Sequence, residues 1–189
     1  HVTAADIAEA QALGYRVRLV GLAEADGKGL FQRVHPCLVP TDHPLAHVAG
    51  PLNAVVAEGN YVGRLFFEGR GAGAGPTASA VVADLIDIAR DEYGPAFAMP
   101  VESLVKLARA ADGSRRGRAY LRFTVADKPG VLAEITAAMR DAGVSIESLM
   151  QRGAAADGTV ILVMVTHQGE EHCGADALRR LGGMATILG

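Results

Sequence analysis

Asp127-Lys128-Pro129-Gly130-Val131-Leu132 directly follows the alternating run Tyr120-Leu121-Arg122-Phe123-Thr124-Val125. The alternation predicts a strand, and the DKPGVL stretch its junction with a helix. Asp127 is placed to accept from the first free N–H groups of that helix. Pro129 suits the first helical turn, where its missing N–H costs nothing. Gly130 lets the backbone come close to whatever sits above the helix N-terminus. That terminus carries partial positive charge and unpaired donors, so it suits a carboxylate. Asp127, Pro129, Gly130, Val131 and Leu132 are therefore candidate ligand-binding residues. The same spacing also serves a tight strand-to-helix turn with no ligand.

The surrounding residues complete a unit. Val131, Leu132, Ile135 and Met139 form one stripe of a helix over 129–141, and Ala142-Gly143 ends it. Residues 144–149 predict a second strand, and Ala156-Asp157-Gly158 a hairpin turn. The run 159–166 (TVILVMVT) is apolar on both faces, which predicts a central strand. A weaker helix over 170–181 carries Ala177, Leu178 and Leu181, and a last strand begins at 184–188. The order βαββαβ predicts a ferredoxin-like unit with one layer of helices on an antiparallel sheet. Residues 119–189 resemble an ACT domain, an amino-acid-sensing module of biosynthetic enzymes, most closely through DKPGVLAEI at 127–135. The resemblance implies side-by-side pairing and a small amino acid held at the joint near that loop.

Composition narrows the rest. The 189 residues are 50% hydrophobic and 21% charged, enough for two modest domains. A net charge of −3 without a basic patch argues against nucleic acid, and no apolar run approaches a membrane span of about 20 residues. Cys37 and Cys173 have neither pairing nor metal-ligand spacing, so no metal is expected and a reducing cytoplasm is the simplest location.

The chain opens His1-Val2-Thr3 without a Met and stops at Gly189 while the last strand is forming, which predicts a piece of a longer enzyme. Thr3 with Asp6 approximates a capping box for a helix over 4–13, stopped by Gly14. Small, polar and basic residues at 111–118 predict a linker between a first domain, 1–110, and a second, 119–189. Within 1–110, residues 16–24 and 30–39 predict strands around the turn Asp26-Gly27-Lys28-Gly29. Residues 53–58 and 61–68 predict a hairpin around Gly59-Asn60. The fold class is α+β: an open, largely antiparallel sheet domain with helices on one face, followed by the βαββαβ unit. No second parallel βαβ crossover is present, so the first domain is not a Rossmann domain.

Gly69-Arg70-Gly71-Ala72-Gly73-Ala74-Gly75-Pro76-Thr77-Ala78 joins a strand to a helix whose stripe is Val81, Val82, Leu85, Ile88 and Ala89, expected to be buried. Glycines let main chain approach a flat ring or a phosphate with N–H groups outward. This spacing is neither a Walker A nor a GxGxxG, and a hinge or close helix packing would also use it.

The ordered blocks LGYRVRLVGLAE, VHPCLVPTDHPLAHVAGPLNAVVAEGN and VGRLFFEGRGAGAGPTASAVVADLIDIAR, followed by the ACT-like unit, closely resemble the C-terminal part of homoserine dehydrogenase. That family reduces aspartate 4-semialdehyde to homoserine with NAD or NADP, on the route to threonine, methionine and isoleucine. The resemblance implies a homodimer or tetramer, and an effector for the ACT domain, threonine first. It makes Gly73, with Gly71, Ala72 and Thr77, the cofactor-binding residues within this chain. The rest of the cofactor site, and the family's lysine and acidic residues, are expected upstream of His1. Lys28, Lys106 and Lys128 do not sit in the lysine's context, so no catalytic residue is carried over. His43, in HPLA, matches a histidine near the family's active site. A capping or turn role before Pro44 is favoured for it, since an acid or base needs a placed partner. Two other readings stay open. One is a stand-alone amino-acid-binding regulatory module. The other is a dimerisation module whose glycine loop is packing alone.

Overall fold

Thr159-Val160-Ile161-Leu162-Val163-Met164-Val165-Thr166 has no polar face, so it must be covered on both sides. A computed structural model describes residues 2–26, 29–92, 94–95, 97–154 and 158–189. In it this run is the middle strand of a sheet. The elements are α1 (Ala4–Ala12), β1 (Tyr15–Asp26), β2 (Gly29–Pro40), a 3-10 turn (Pro44–Ala46), β3 (Leu52–Gly59) and β4 (Gly63–Arg70). Then come α2 (Ala74–Ala89), a second 3-10 turn (Val101–Ser103), β5 (Arg116–Gly117), β6 (Tyr120–Ala126) and α3 (Val131–Asp141). The chain closes with β7 (Ile146–Ala154), β8 (Thr159–Thr166), β9 (Gly169–Glu170) and α4 (Glu171–Leu181). The fold is α+β, as the sequence predicts, and the chain divides into two compact units.

The first unit comprises His1–Glu9, Gly21–Val34 and Ala108–Gly189. Its sheet has the order β6-β8-β7, with β8 antiparallel to both neighbours. Phe123 lies opposite Leu162, and Val125 opposite Val160. These residues and Met164 meet Val131, Ile135, Ala138 and Met139 of α3 and Ala177 and Leu181 of α4 in one apolar core. Ile135 and Met139 are fully buried, and each such side chain contributes about 1.5–3 kcal/mol by leaving water. Leu132 and Leu178, expected in the buried stripes, remain 39% and 45% exposed because they flank the faces centred on Val131–Ile135 and Ala177–Leu181.

The alternate residues of β8, Val163 and Val165, are also buried. They face the side on which Tyr120 and Arg122 bind Asp6 of α1, and Arg152 binds Glu9. Thr3 and Asp6 form the expected capping box. The Thr3 N–H donates to Asp6 at 2.7 Å and the Asp6 N–H to the Thr3 hydroxyl at 3.3 Å.

Several boundaries differ from expectation, among them β5, Arg116–Gly117, which pairs with β9 inside the stretch expected as a linker. β7 starts at Ile146 rather than 144, because the Val144 N–H closes the end of α3 on the Met139 carbonyl after Gly143 turns left-handed at φ +75°. The residues expected as a last strand make one bridge, Val125 to Ile187, flanked by the Ala126–Thr186 and Leu188–Thr124 backbone bonds. The expected hairpin turn falls at Ala156 and Asp157, outside the described residues, as do Gly27 and Lys28 of the turn between β1 and β2. In the same unit Arg33 and Arg115 lie over Phe31, 4.8 and 5.3 Å from its ring centre. Both also pair with Glu171 at the start of α4, and Arg115 with Glu24.

The second unit comprises Ala10–Val20 and His35–Leu107. β3 and β4 pair antiparallel from Leu52 opposite Arg70 to Gly59 opposite Gly63. The connection is Asn60-Tyr61-Val62, with Gly63 at φ +71°, so the turn lies one residue later than Gly59-Asn60. Arg18 Nη2 donates to the Ala46 carbonyl at 2.7 Å. Among the described residues of this unit only Ala10, Val39 and Ala46 are buried apolar residues. The expected burial of the α2 stripe is not observed: Val81, Val82, Leu85 and Ile88 are all more than half exposed. Periodicity shows which face of a helix is apolar; burial requires a neighbour, and the described part of this unit supplies none.

Candidate functional site

The glycine-rich stretch forms the turn between β4 and α2. β4 ends at Arg70 and α2 begins at Ala74, so Gly71, Ala72 and Gly73 make the whole connection. Gly73 is the N-cap at φ +119°, ψ 154°, a conformation open to glycine and strained for any side chain. Its carbonyl accepts the Thr77 N–H at 3.1 Å, the first bond of the helix. Pro76, third in the helix, has no N–H to leave unpaired, and the Ala74 and Gly75 N–H groups precede the helical ladder. All of these residues except Pro76 are exposed. The turn is thus an open glycine cradle at the positive end of a 16-residue helix, suited to an anionic or flat partner.

Gly71 has a different constraint. A Cβ there would lie 2.0 Å from Asn53 Nδ2 and 3.1 Å from Asn53 Cγ. Asn53 lies within β3, opposite Gly69. Its proximity to Gly71 has no signature in local sequence, because it depends on the register of the hairpin.

His43 caps the 3-10 turn: its Nδ1 accepts the Leu45 N–H at 3.3 Å. Pro44 follows at the first position of that turn, and His43 is extended at φ −82°, ψ 136°. Among the described residues no cluster of His, Cys, Asp or Glu has the arrangement of a metal site.

The second candidate site is the turn from β6 to α3. The residues expected there are placed differently from expectation. Gly130, not Asp127, is the N-cap of α3; it adopts φ +94°, and no side chain caps the helix. Asp127 is held through its backbone, its N–H donating to the Gly158 carbonyl at 2.9 Å. Pro129 lies before the helix, because the left-handed Gly130 delays its start to Val131. The Val131 side chain is committed to the core and its N–H donates to the Lys128 carbonyl at 3.4 Å. Gly130 and Leu132 remain at the surface, with open space where a Gly130 side chain would point. Glu134, in the first turn, accepts from the Thr186 hydroxyl at 3.3 Å.

The strongest electrostatic perturbation lies elsewhere, on α1. Burial pushes the Asp6 carboxyl up. Hydrogen bonds from the Thr3 hydroxyl and backbone, Arg122 and Tyr120 outweigh that and hold it well below the usual carboxylate range. Burial, and then Asp6 itself, push the Tyr120 phenol up to about 12. This pair joins residues 114 positions apart and has no sequence signature beyond the capping box.

Comparison with known proteins matches both halves of this architecture. A family profile for homoserine dehydrogenase matches residues 1–86, and one for the ACT domain matches residues 119–183. Homoserine dehydrogenase of Pseudomonas aeruginosa is 37% identical over 195 residues, covering 100% of this chain and 45% of that protein. The Synechocystis homoserine dehydrogenase is 40% identical over 191 residues, covering 90% of this chain and 41% of that protein. The crystal structure of a homoserine dehydrogenase from Thiobacillus denitrificans superposes with a TM-score of 0.88 at 34% identity, over 100% of this chain and 44% of that one. The chain therefore spans just under half the length of the relatives it matches. It belongs to the homoserine dehydrogenase family, with the family's dehydrogenase segment in residues 1–86 and an ACT domain in residues 119–183.

Proposed function

We propose that this chain is part of an NAD(P)-dependent homoserine dehydrogenase that interconverts L-homoserine and L-aspartate 4-semialdehyde in threonine, methionine and isoleucine biosynthesis. The observation that carries this reading is the open glycine turn at the α2 N-terminus, inside the segment matched to the family. Residues 1–110 are the catalytic and dimerisation portion, 111–118 a linker, and 119–189 the regulatory domain. Gly71, Ala72, Gly73 and Thr77 would hold the nicotinamide end of the cofactor: the exposed backbone permits close contact, and Gly73, at positive φ, keeps side-chain atoms off the approach. When bound, the cofactor supplies the hydride. The turn contributes placement, and the value of such placement is large, since small errors in reacting geometry slow the chemistry steeply.

The regulatory part binds a small amino acid, threonine first among the candidates, with its carboxylate near Gly130 at the α3 N-terminus. The assembly is a homodimer or tetramer. Supporting this, Val55 and Phe67, which lie opposite each other, and the apolar stripe of α2 are exposed.

The test is homoserine-dependent NAD(P)H formation by the full-length enzyme and by these 189 residues expressed alone. Turnover is expected from the full-length enzyme and not from the 189 residues. Neither Lys106, in an irregular segment, nor Lys128, in the turn before α3, stands beside the glycine cradle in sequence or in an element that pairs with it. Turnover by the isolated chain above an expression control would overturn that part of the proposal. Light scattering on the same chain reads the oligomeric state.

A further inference from the structure

We propose that Asn53 is a positioning residue for the 71–73 turn, and that position 71 is glycine to admit the Asn53 amide rather than the cofactor. This rests on the reading of that turn as a cofactor contact.

The hairpin register places the two residues together. Asn53 pairs with Gly69, and directly opposed residues of an antiparallel pair share a face. Gly71, two residues beyond Gly69, is the first residue past the end of β4. Gly69 offers no side chain, and nothing lies within 4 Å of where its Cβ would be. The Asn53 side chain is therefore free to lean diagonally past it, and it does. Its Nδ2, Cγ and Cβ lie 2.0, 3.1 and 3.8 Å from the place of a Gly71 Cβ. A Cβ cannot sit 2.0 Å from a heavy atom, so a side chain at 71 would turn the exposed Asn53 amide out of its present place, whichever way round the amide is set. The two glycines of the turn thus have separate causes. Gly73 is required by its backbone at φ +119°, whereas Gly71 has no positive φ and leaves the space that the Asn53 amide occupies.

The consequence is mechanical. The turn has three residues between a strand end and a helix start, and its last residue is already fixed as the N-cap. The Asn53 amide stands beside its first residue. Asn53 is one residue inside β3, so the hairpin ladder anchors it. The amide transmits the position of the ladder to the backbone that faces the cofactor.

Three variants of the full-length dehydrogenase test this: Gly71→Ala, Asn53→Ala and the two combined. For each, cofactor KM, homoserine KM, kcat and Tm are measured. Gly71→Ala forces the amide out and should raise cofactor KM of the order of tenfold, below the ~100-fold of a full 1 Å misplacement. Asn53→Ala releases the turn and should raise cofactor KM severalfold with homoserine KM unchanged. The combined variant should return to the Asn53→Ala value, because the added methyl then fills the vacated space. A combined variant as impaired as Gly71→Ala would overturn the inference, since the glycine would then be kept for the ligand. Asn53→Ala with an unchanged cofactor KM would overturn it too. If the turn does not meet the cofactor at all, the signature is different: Gly71→Ala lowers Tm, the combined variant restores it, and no variant moves cofactor KM. That outcome removes the positioning role together with the reading on which it rests. Asn53→Ala only deletes atoms, so it keeps the test decisive if Gly71→Ala fails to fold.

Discussion

Asp6 Oδ1, on α1, accepts a hydrogen bond from Arg122 Nε on β6 at 2.6 Å, across 116 residues of sequence. The same oxygen accepts from the Tyr120 hydroxyl at 3.1 Å, while Oδ2 accepts from the Thr3 backbone and hydroxyl at 2.7 Å each. One carboxylate both closes the helix cap and fastens the helix to the sheet. Asp6→Ala should therefore cost about 1–3 kcal/mol for the partners it strands, while the cap bond from the residue-6 N–H to the Thr3 hydroxyl remains. Urea denaturation measures this. A change within about 0.5 kcal/mol, typical of surface substitutions, would show that solvent replaces the carboxylate.

The same cluster sets a pH dependence at both extremes. Asp6 has a folded-state pKa below its unfolded value, so its contribution is present above about pH 4 and is lost as pH falls toward the folded value. Tyr120 is raised to about 12. Its contribution is full below its unfolded pKa of about 10 and is lost as pH climbs from there through about 12. Thermal melts from pH 3 to 12 should show both arms. Tyr120→Phe should flatten the alkaline arm and leave the acid arm, and an unchanged alkaline arm would assign it to other groups.

Gly73 and Gly75 stand two residues apart and should respond oppositely to alanine. Gly73→Ala forces a side chain into φ +119° and should lose about 1–2 kcal/mol. Gly75 is helical, has no positive φ, and has open space at its Cβ. Gly75→Ala should be neutral or gain up to about 1 kcal/mol, as alanine does in a helix. Equal losses in denaturant melts would contradict the turn geometry.

For the ACT domain, calorimetry with threonine, isoleucine, methionine and serine is the direct measurement. Threonine is expected to bind with a Kd below about 1 mM, a free energy beyond ~4 kcal/mol, and to raise Tm with occupancy. Gly130→Ala meets no neighbouring atom but strains φ +94°, so it should weaken binding while the core of α3 stays intact. Absence of binding by all four amino acids at millimolar concentration would remove the sensing role.

What could be read in the chain before folding was local. The βα junction at 127–132, helices expected over 4–13 and 129–141 and found within a residue or two of those bounds, and the central strand at 159–166 all follow from periodicities of two and 3.6 and from cap chemistry. The glycine turn was legible as a stretch, since glycine admits the positive φ of the Gly73 N-cap. Its division of labour was not. Gly71 and Gly73 are the same residue in sequence, and only the β3–β4 register places Asn53 on one of them. Asp127 and Gly130 show the same limit: both suit a cap, and the choice of Gly130 follows from the course of the backbone into a helix anchored by buried Val131.

The sequence by itself determined most of the segments that would be strands and helices, though not 116–117 or 184–188, and which of their faces would be apolar, because propensity, capping and periodicity act over a few residues. Tertiary structure alone decided what those faces meet. It put Asp6 against Arg122, and the Asn53 amide over Gly71. It also left the stripe of α2 exposed within its own unit. The physical reason is range: a local conformation depends on neighbours in sequence, whereas burial, pairing and steric exclusion depend on groups that folding brings together from far along the chain.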